Sequence, residues 1–85
     1  MNWRHQVDLS DLWNAYGDTM TLQEVAGEVA KRCRALPYQD DTFIEIMEEM
    51  EDLSRNPQAE GDWFDEIMDA LWTYGDHNRI WFGVI

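Results

Sequence analysis

The sequence predicts a mainly α (α+β) domain of three principal helices, with short N- and C-terminal β-strands paired to each other. Three observations carry this. Apolar residues recur at helical spacing over residues 22–36, 43–53 and 63–71. Helix-starting and helix-stopping residues bracket each stretch. The two chain ends carry short runs of β-formers instead. At 85 residues the chain is one small domain (1-85) whose core must be efficient, and five Trp, three Tyr and three Phe supply large buried areas per residue.

Taken in order, Trp3, His5, Val7 and Leu9 alternate with Arg4, Gln6 and Asp8, the period of a half-buried strand. Ser10 is placed to cap a short helical turn over Asp11–Tyr16, which Gly17 closes. Thr21-Leu22-Gln23-Glu24 reads as a capping box. The helix that follows puts Leu22, Val25, Ala26, Val29, Ala30, Cys33 and Leu36 on one face and ends at Pro37. Its outer face mixes signs, with Glu28 in helical reach of Lys31 and Arg32. Asp40-Asp41-Thr42 opens the second principal helix, with Thr42 and Glu45 as its capping box and Phe43, Ile46, Met47, Met50 and Leu53 as its core stripe. Ser54–Gly61, containing Asn56-Pro57, reads as a loop. Asp62 is placed to cap the third principal helix, which runs to about Tyr74 with Gly75 as its stop. Its apolar arc is Trp63, Phe64, Ile67, Met68 and Leu71. Arg79–Ile85 is a strand, and because an isolated two-stranded ribbon is marginal it should pair with the first strand while packing on the helices.

Charge is distributed unevenly. Twelve of the eighteen carboxylates lie between Asp40 and Asp69, where Arg55 is the single base, so that window nets −11 of the chain's −12. This excess makes direct binding of nucleic acid or anionic lipid unfavourable, since phosphate attraction needs Lys and Arg. No apolar run has the length of a membrane span and the N-terminus lacks an apolar signal stretch, so the expected location is cytoplasmic. Cys33 stands alone, which excludes an intrachain disulfide and a cysteine-based zinc site, and its place on an apolar face suits an inert core thiol. His5 and His77 form no metal-ligand spacing, and His5 suits a packed histidine on its strand. Ser10 and Ser54 lack a glycine-rich elbow, and no phosphate-binding glycine loop is present. No catalytic residue and no cofactor is expected.

The acids fall on two faces. Asp41, Glu45, Glu48, Glu49 and Asp52 lie opposite the core stripe of the second principal helix, and Asp62, Asp65, Glu66 and Asp69 form an arc on the third, with Trp72 at its margin. Eleven helical steps of about 1.5 Å from Asp41 to Asp52 put five carboxylates on roughly 16 Å of axis. That is about one charge per 4 Å, against one phosphate per roughly 3.4 Å of a DNA strand. A charge run on a helix is ordinarily a solvated face, but such faces usually interleave Lys at i, i+4, which this one does not. The pattern suits a basic partner, in particular a protein surface that normally accepts nucleic acid. In size, acidity and small mixed helical build the chain resembles phage-encoded inhibitors of host defence: anti-CRISPR proteins, anti-restriction proteins and DNA mimics. The resemblance implies a non-catalytic inhibitor that blocks a nuclease or effector complex, with Trp72, Met68 and Met50 as apolar anchors beside the charge. Met47, Met50, Met68, Trp63 and Trp72 could alternatively form a homodimer face.

A second resemblance rests on Glu48-Glu49-Met50-Glu51-Asp52 followed by Glu66-Ile67-Met68-Asp69. This is similar to the E-E-x-x-E … E-x-x-D signature of all-α, MazG-type nucleotide pyrophosphohydrolases, with Asp52 where the family has Glu. It implies that Glu48, Glu49, Asp52, Glu66 and Asp69 hold Mg²⁺, which binds a nucleoside triphosphate.

Overall fold

The computed structural model describes residues 2–85. The element order is β1 (His5–Asp8), α1 (Ser10–Ala15), α2 (Leu22–Cys33), α3 (Asp41–Ser54), α4 (Gly61–Asn78) and β2 (Ile80–Gly83). Three long helices and one short one, with a strand at each end, make a small α+β fold. The strands pair in parallel, His5 opposite Ile80 and Val7 opposite Phe82. Parallel strands need a long crossover, and here the whole helical part of the chain supplies it. The Leu9 amide donates to the Gly83 carbonyl at 2.8 Å and the Arg4 amide to Arg79 at 2.7 Å, extending the ladder at both ends. The Arg4 guanidinium also donates to the Asn78 carbonyl, fastening the N-terminal strand to the end of α4.

The expected stripes of α2 and α3 pack inward, although α2 ends at Cys33 and not at Pro37, so Leu36 packs against the core from the turn that follows the helix. Val25, Ala26, Val29, Ala30 and Cys33 of α2 and Phe43, Ile46, Met47, Met50 and Leu53 of α3 are buried, α2 and α3 pack side by side, and Phe64, Met68, Leu71 and Tyr74 of α4 complete the core with Ile80 and Phe82. Phe43 is central, with ring centroids 5.3 Å from Tyr74 and 6.3 Å from Phe82. Burial pushes the Cys33 thiol up to about 12, so it is protonated and unreactive at neutral pH. The Thr21–Glu24 capping box is fully formed.

Four local expectations need correction. Ser10 is the first residue of α1 and not its cap; its amide and hydroxyl both donate to Asp8 Oδ1, at 2.9 and 2.6 Å. The cap of α3 is Asp40, whose carboxylate accepts the Phe43 amide at 2.9 Å, and not Thr42. Helix α4 starts at Gly61 behind Glu60, which makes no side-chain cap, so Asp62 sits in the first turn, where its charge still favours the helix dipole. Gly75 does not stop α4. The helix runs on to Asn78 and is closed by Arg79 in the left-handed conformation (φ 57°, ψ 45°). Gly75 is needed for another reason: β2 crosses over it so closely that a β-carbon there would overlap the Ile80 carbonyl oxygen and lie 3.1 Å from the Phe82 ring.

Candidate functional site: an acidic two-helix surface

Helices α3 and α4 pack antiparallel. The start of α3 (Thr42, Glu45, Ile46) shares a depression of about 520 Å³ with the end of α4 (Ala70, Thr73, Tyr74, His77). The end of α3 (Glu49, Asp52, Leu53) shares another of about 350 Å³ with the start of α4 (Trp63, Glu66, Ile67). Glu49 belongs to both, so a single groove runs between the helices. The core stripes turn Asp41, Glu45, Glu48, Glu49 and Asp52 of α3 outward, and all are exposed. Asp62, Asp65, Glu66 and Asp69 of α4 are exposed too. Glu66 lies on the groove edge toward α3, whereas Asp65 lies on the opposite edge, in a depression with Trp13 and Tyr16. The acidic arc of α4 is therefore a broad face and not a narrow row.

Partial neutralisation comes from two arginines. Arg55 pairs with Asp52 at 2.9 Å, so Asp52 does have a basic partner. Arg34, from the turn after α2, grips Glu51 with a two-pronged contact at 2.5 and 2.9 Å and holds that carboxyl below its ordinary range. No local pattern could have announced this pair, because its members are 17 residues apart and on different elements. Arg32 is occupied by Asp11 and, more distantly, Glu28. Among the described residues, Asp41, Glu45, Glu48, Glu49, Asp62, Asp65, Glu66 and Asp69 make no ion pair. Among these unpaired carboxylates, like-charge neighbours at helical spacing stand at 41–45, 45–48 and 45–49, and at 62–65, 62–66, 65–69 and 66–69. At a few tenths of a kcal/mol each, they cost about 2–4 kcal/mol at low salt, a large share of the stability of a small domain.

The apolar anchors divide. Trp72 is 37% exposed, and its indole Nε1 donates to the Phe82 carbonyl at 2.6 Å, so the ring is fixed at the surface. Met50 and Met68 are 0% and 1% exposed. They fill the protein's own core and are not anchors, and together with buried Met47 they cannot form a dimer face. Trp63 leaves the expected apolar arc altogether and stands 45% exposed beside the groove.

Of the five acids of the pyrophosphohydrolase pattern, Glu49, Asp52 and Glu66 line one depression, while Glu48 and Asp69 do not join them. No three His, Cys, Asp or Glu among the described residues gather closely enough to hold a metal ion. Tyr74 donates to Asp40 at 3.2 Å in the other half of the groove, and burial, followed by the Asp40 charge, raises its phenol above the usual value.

No protein-family model matches the chain, and neither curated proteins nor solved structures include a match to it. No helix among the described residues is long and apolar enough to cross a membrane.

Proposed function

We propose that this protein is a non-catalytic acidic binding module that occupies the basic, nucleic-acid-accepting surface of a partner protein, as DNA-mimicking inhibitors of the anti-CRISPR or anti-restriction type do, in the cytoplasm. The observation that carries the reading is the unpaired charge on α3 and α4. Eight exposed carboxylates that make no ion pair among the described residues stand on adjacent antiparallel helices. They lie on a fold that spends its few arginines on Asp11, Glu51 and Asp52 instead. Self-repulsion on this scale destabilises the folded chain and is offset when Lys and Arg of a partner meet it. Such a surface attracts a phosphate-binding groove by the same long-range field that brings nucleic acid to it.

The test is affinity capture from a bacterial lysate with the tagged protein, eluted with short competitor DNA at moderate salt. Glu45→Lys, Glu48→Lys and Glu49→Lys are combined as the control; this variant spares the Asp52–Arg55 pair. The wild type should retain a basic nucleic-acid-binding protein that competitor DNA releases. The variant should lose it while gaining roughly 1 kcal/mol of folding stability from relieved repulsion. Capture that the triple reversal leaves unchanged refutes the reading. Capture that resists salt favours instead an assembly role for the exposed Trp63 and Trp72. The pyrophosphohydrolase reading is disfavoured: Glu49, Asp52 and Glu66 share a depression but are not gathered closely enough to hold Mg²⁺, and Glu48 and Asp69 lie outside it.

A further inference from the structure

On the edge of α4 away from α3, aromatic side chains from distant parts of the chain converge. Trp13 and Tyr16 of the α1 region, with Phe64, Met68 and Trp72 of α4, line a depression of about 280 Å³, and its one charged group is Asp65. The ring of Phe64, buried at the floor, meets Trp13 edge-on at 6.1 Å and Tyr16 edge-on at 6.3 Å. Tyr16 is 43% exposed, Trp72 37%, and the Trp72 ring is held in place by its bond to the Phe82 carbonyl. The Trp72 face is thus set before any ligand arrives.

We propose that this depression is a receptor for a single guanidinium, the side chain of an arginine on the basic partner. The choice of occupant follows from the lining. An aromatic wall alone would accept any apolar side chain, but seating one would strip water from the Asp65 carboxylate and give nothing in return. A nucleobase could stack on the rings, yet its phosphates would meet a chain of net charge −12. A cation satisfies both parts, its charge lying over the faces of Trp and Tyr and its N–H groups reaching the carboxylate. Arginine fits better than lysine, because the guanidinium is planar, weakly hydrated and stacks on rings while presenting paired donors to a carboxylate. The protein's own bases do not fill the place: the ion pairs among the described residues engage Arg32, Arg34 and Arg55 and leave Asp65 without a cation. The identity of the arginine's owner rests on the binding-module reading; the pocket's preference for a guanidinium does not.

The experiment uses the full chain and small probes, so it needs no partner. N-acetyl-arginine amide is titrated into ¹⁵N-labelled protein while the indole N–H signals of the five tryptophans are followed. N-acetyl-citrulline amide, the uncharged near-isostere, is titrated in parallel. Saturable shifts confined to Trp13 and Trp72 are expected with arginine amide, with citrulline amide at least about fivefold weaker. Asp65→Asn and Tyr16→Leu should each weaken the arginine response several-fold. Trp63, which stands beside Glu49, Asp52 and Glu66 in the other groove, reports general attraction of cations to the acidic surface. If Trp63 moves as much as Trp13 and Trp72, or citrulline amide matches arginine amide, or Tyr16→Leu leaves the response unchanged, the receptor does not exist. A failed capture with a positive titration would remove the binding-module reading and leave the guanidinium site standing; the reverse would remove only the site.

Discussion

Replacing Gly75 by Ala tests how the C-terminal strand is seated, and with it the position of Trp72. In an exposed helix interior this change is favourable by about 1 kcal/mol, because alanine is the better helix former. At residue 75 the added methyl would collide with the Ile80 carbonyl oxygen and press on the Phe82 ring at 3.1 Å. The oxygen belongs to backbone at the start of the β1–β2 ladder, so it cannot swing aside as a flexible side chain would. Overpacking of a well-filled core costs about 1–3 kcal/mol, and more where backbone must shift. The clash therefore outweighs the propensity gain, and a net loss of about 2 kcal/mol is expected. For a domain of this size that lowers Tm by roughly 8–16 °C. Gly27→Ala is the matched control, since its new methyl would meet Ser54 at an ordinary 3.7 Å. It should stabilise α2 by about 0.5–1 kcal/mol. Urea unfolding followed by far-UV circular dichroism reads both variants, and an unchanged m-value keeps the comparison valid. A Gly75→Ala midpoint equal to or above wild type would refute the close approach of β2 to α4. The same variant should also loosen the Trp72–Phe82 hydrogen bond, visible in the Trp72 indole signal.

Two other perturbations separate structural alternatives. Asp40→Ala should cost about 1–2 kcal/mol, since it removes the cap on the Phe43 amide and the acceptor of the Tyr74 hydroxyl, whereas Thr42→Ala should stay within about 0.5 kcal/mol in urea unfolding; equal effects would contradict the assignment of the cap. The Arg32 guanidinium bonded to Asp11 lowers that carboxyl from 3.8 to about 2. Because the folded value is depressed, the pair stabilises fully above about 4 and its contribution fades as pH falls toward 2. In a carboxyl ¹³C titration Arg32→Gln should return the Asp11 midpoint toward 3.8, and a midpoint still near 2 would assign the shift to something other than Arg32.

Much of the fold was legible because its signals are local. The Thr21–Glu24 box, the apolar stripes of α2 and α3 and the strand-forming ends each lie within a few residues and need no knowledge of the rest of the chain. The outward set of the α3 acids followed from the same periodicity, since a helix that buries Phe43, Ile46, Met47, Met50 and Leu53 must present Glu45, Glu48 and Asp52 to solvent. Local pattern failed where one residue type serves two purposes. Asp40 and Thr42 are both competent caps, and the chain settles on Asp40, which also accepts from Tyr74 thirty-four positions away. A glycine after Tyr74 can end a helix or let a strand pass over it, and only the path of β2 decides which.

The candidate site divides along the same line. Sequence by itself determined that one thirty-residue stretch is acidic and that its charge faces outward, because charge and helical period are properties of the local chain. Tertiary structure decided that Arg34 neutralises Glu51, that Met50 and Met68 are core while Trp63 is surface, that the α3 and α4 faces flank one groove, and that Trp13 and Tyr16 stand beside Asp65 and Trp72. Each of these joins residues that are far apart in the chain or selects between two faces of an amphipathic helix. Such outcomes depend on which surfaces the packed core leaves uncovered, a quantity set by all the helices together and by no single one of them.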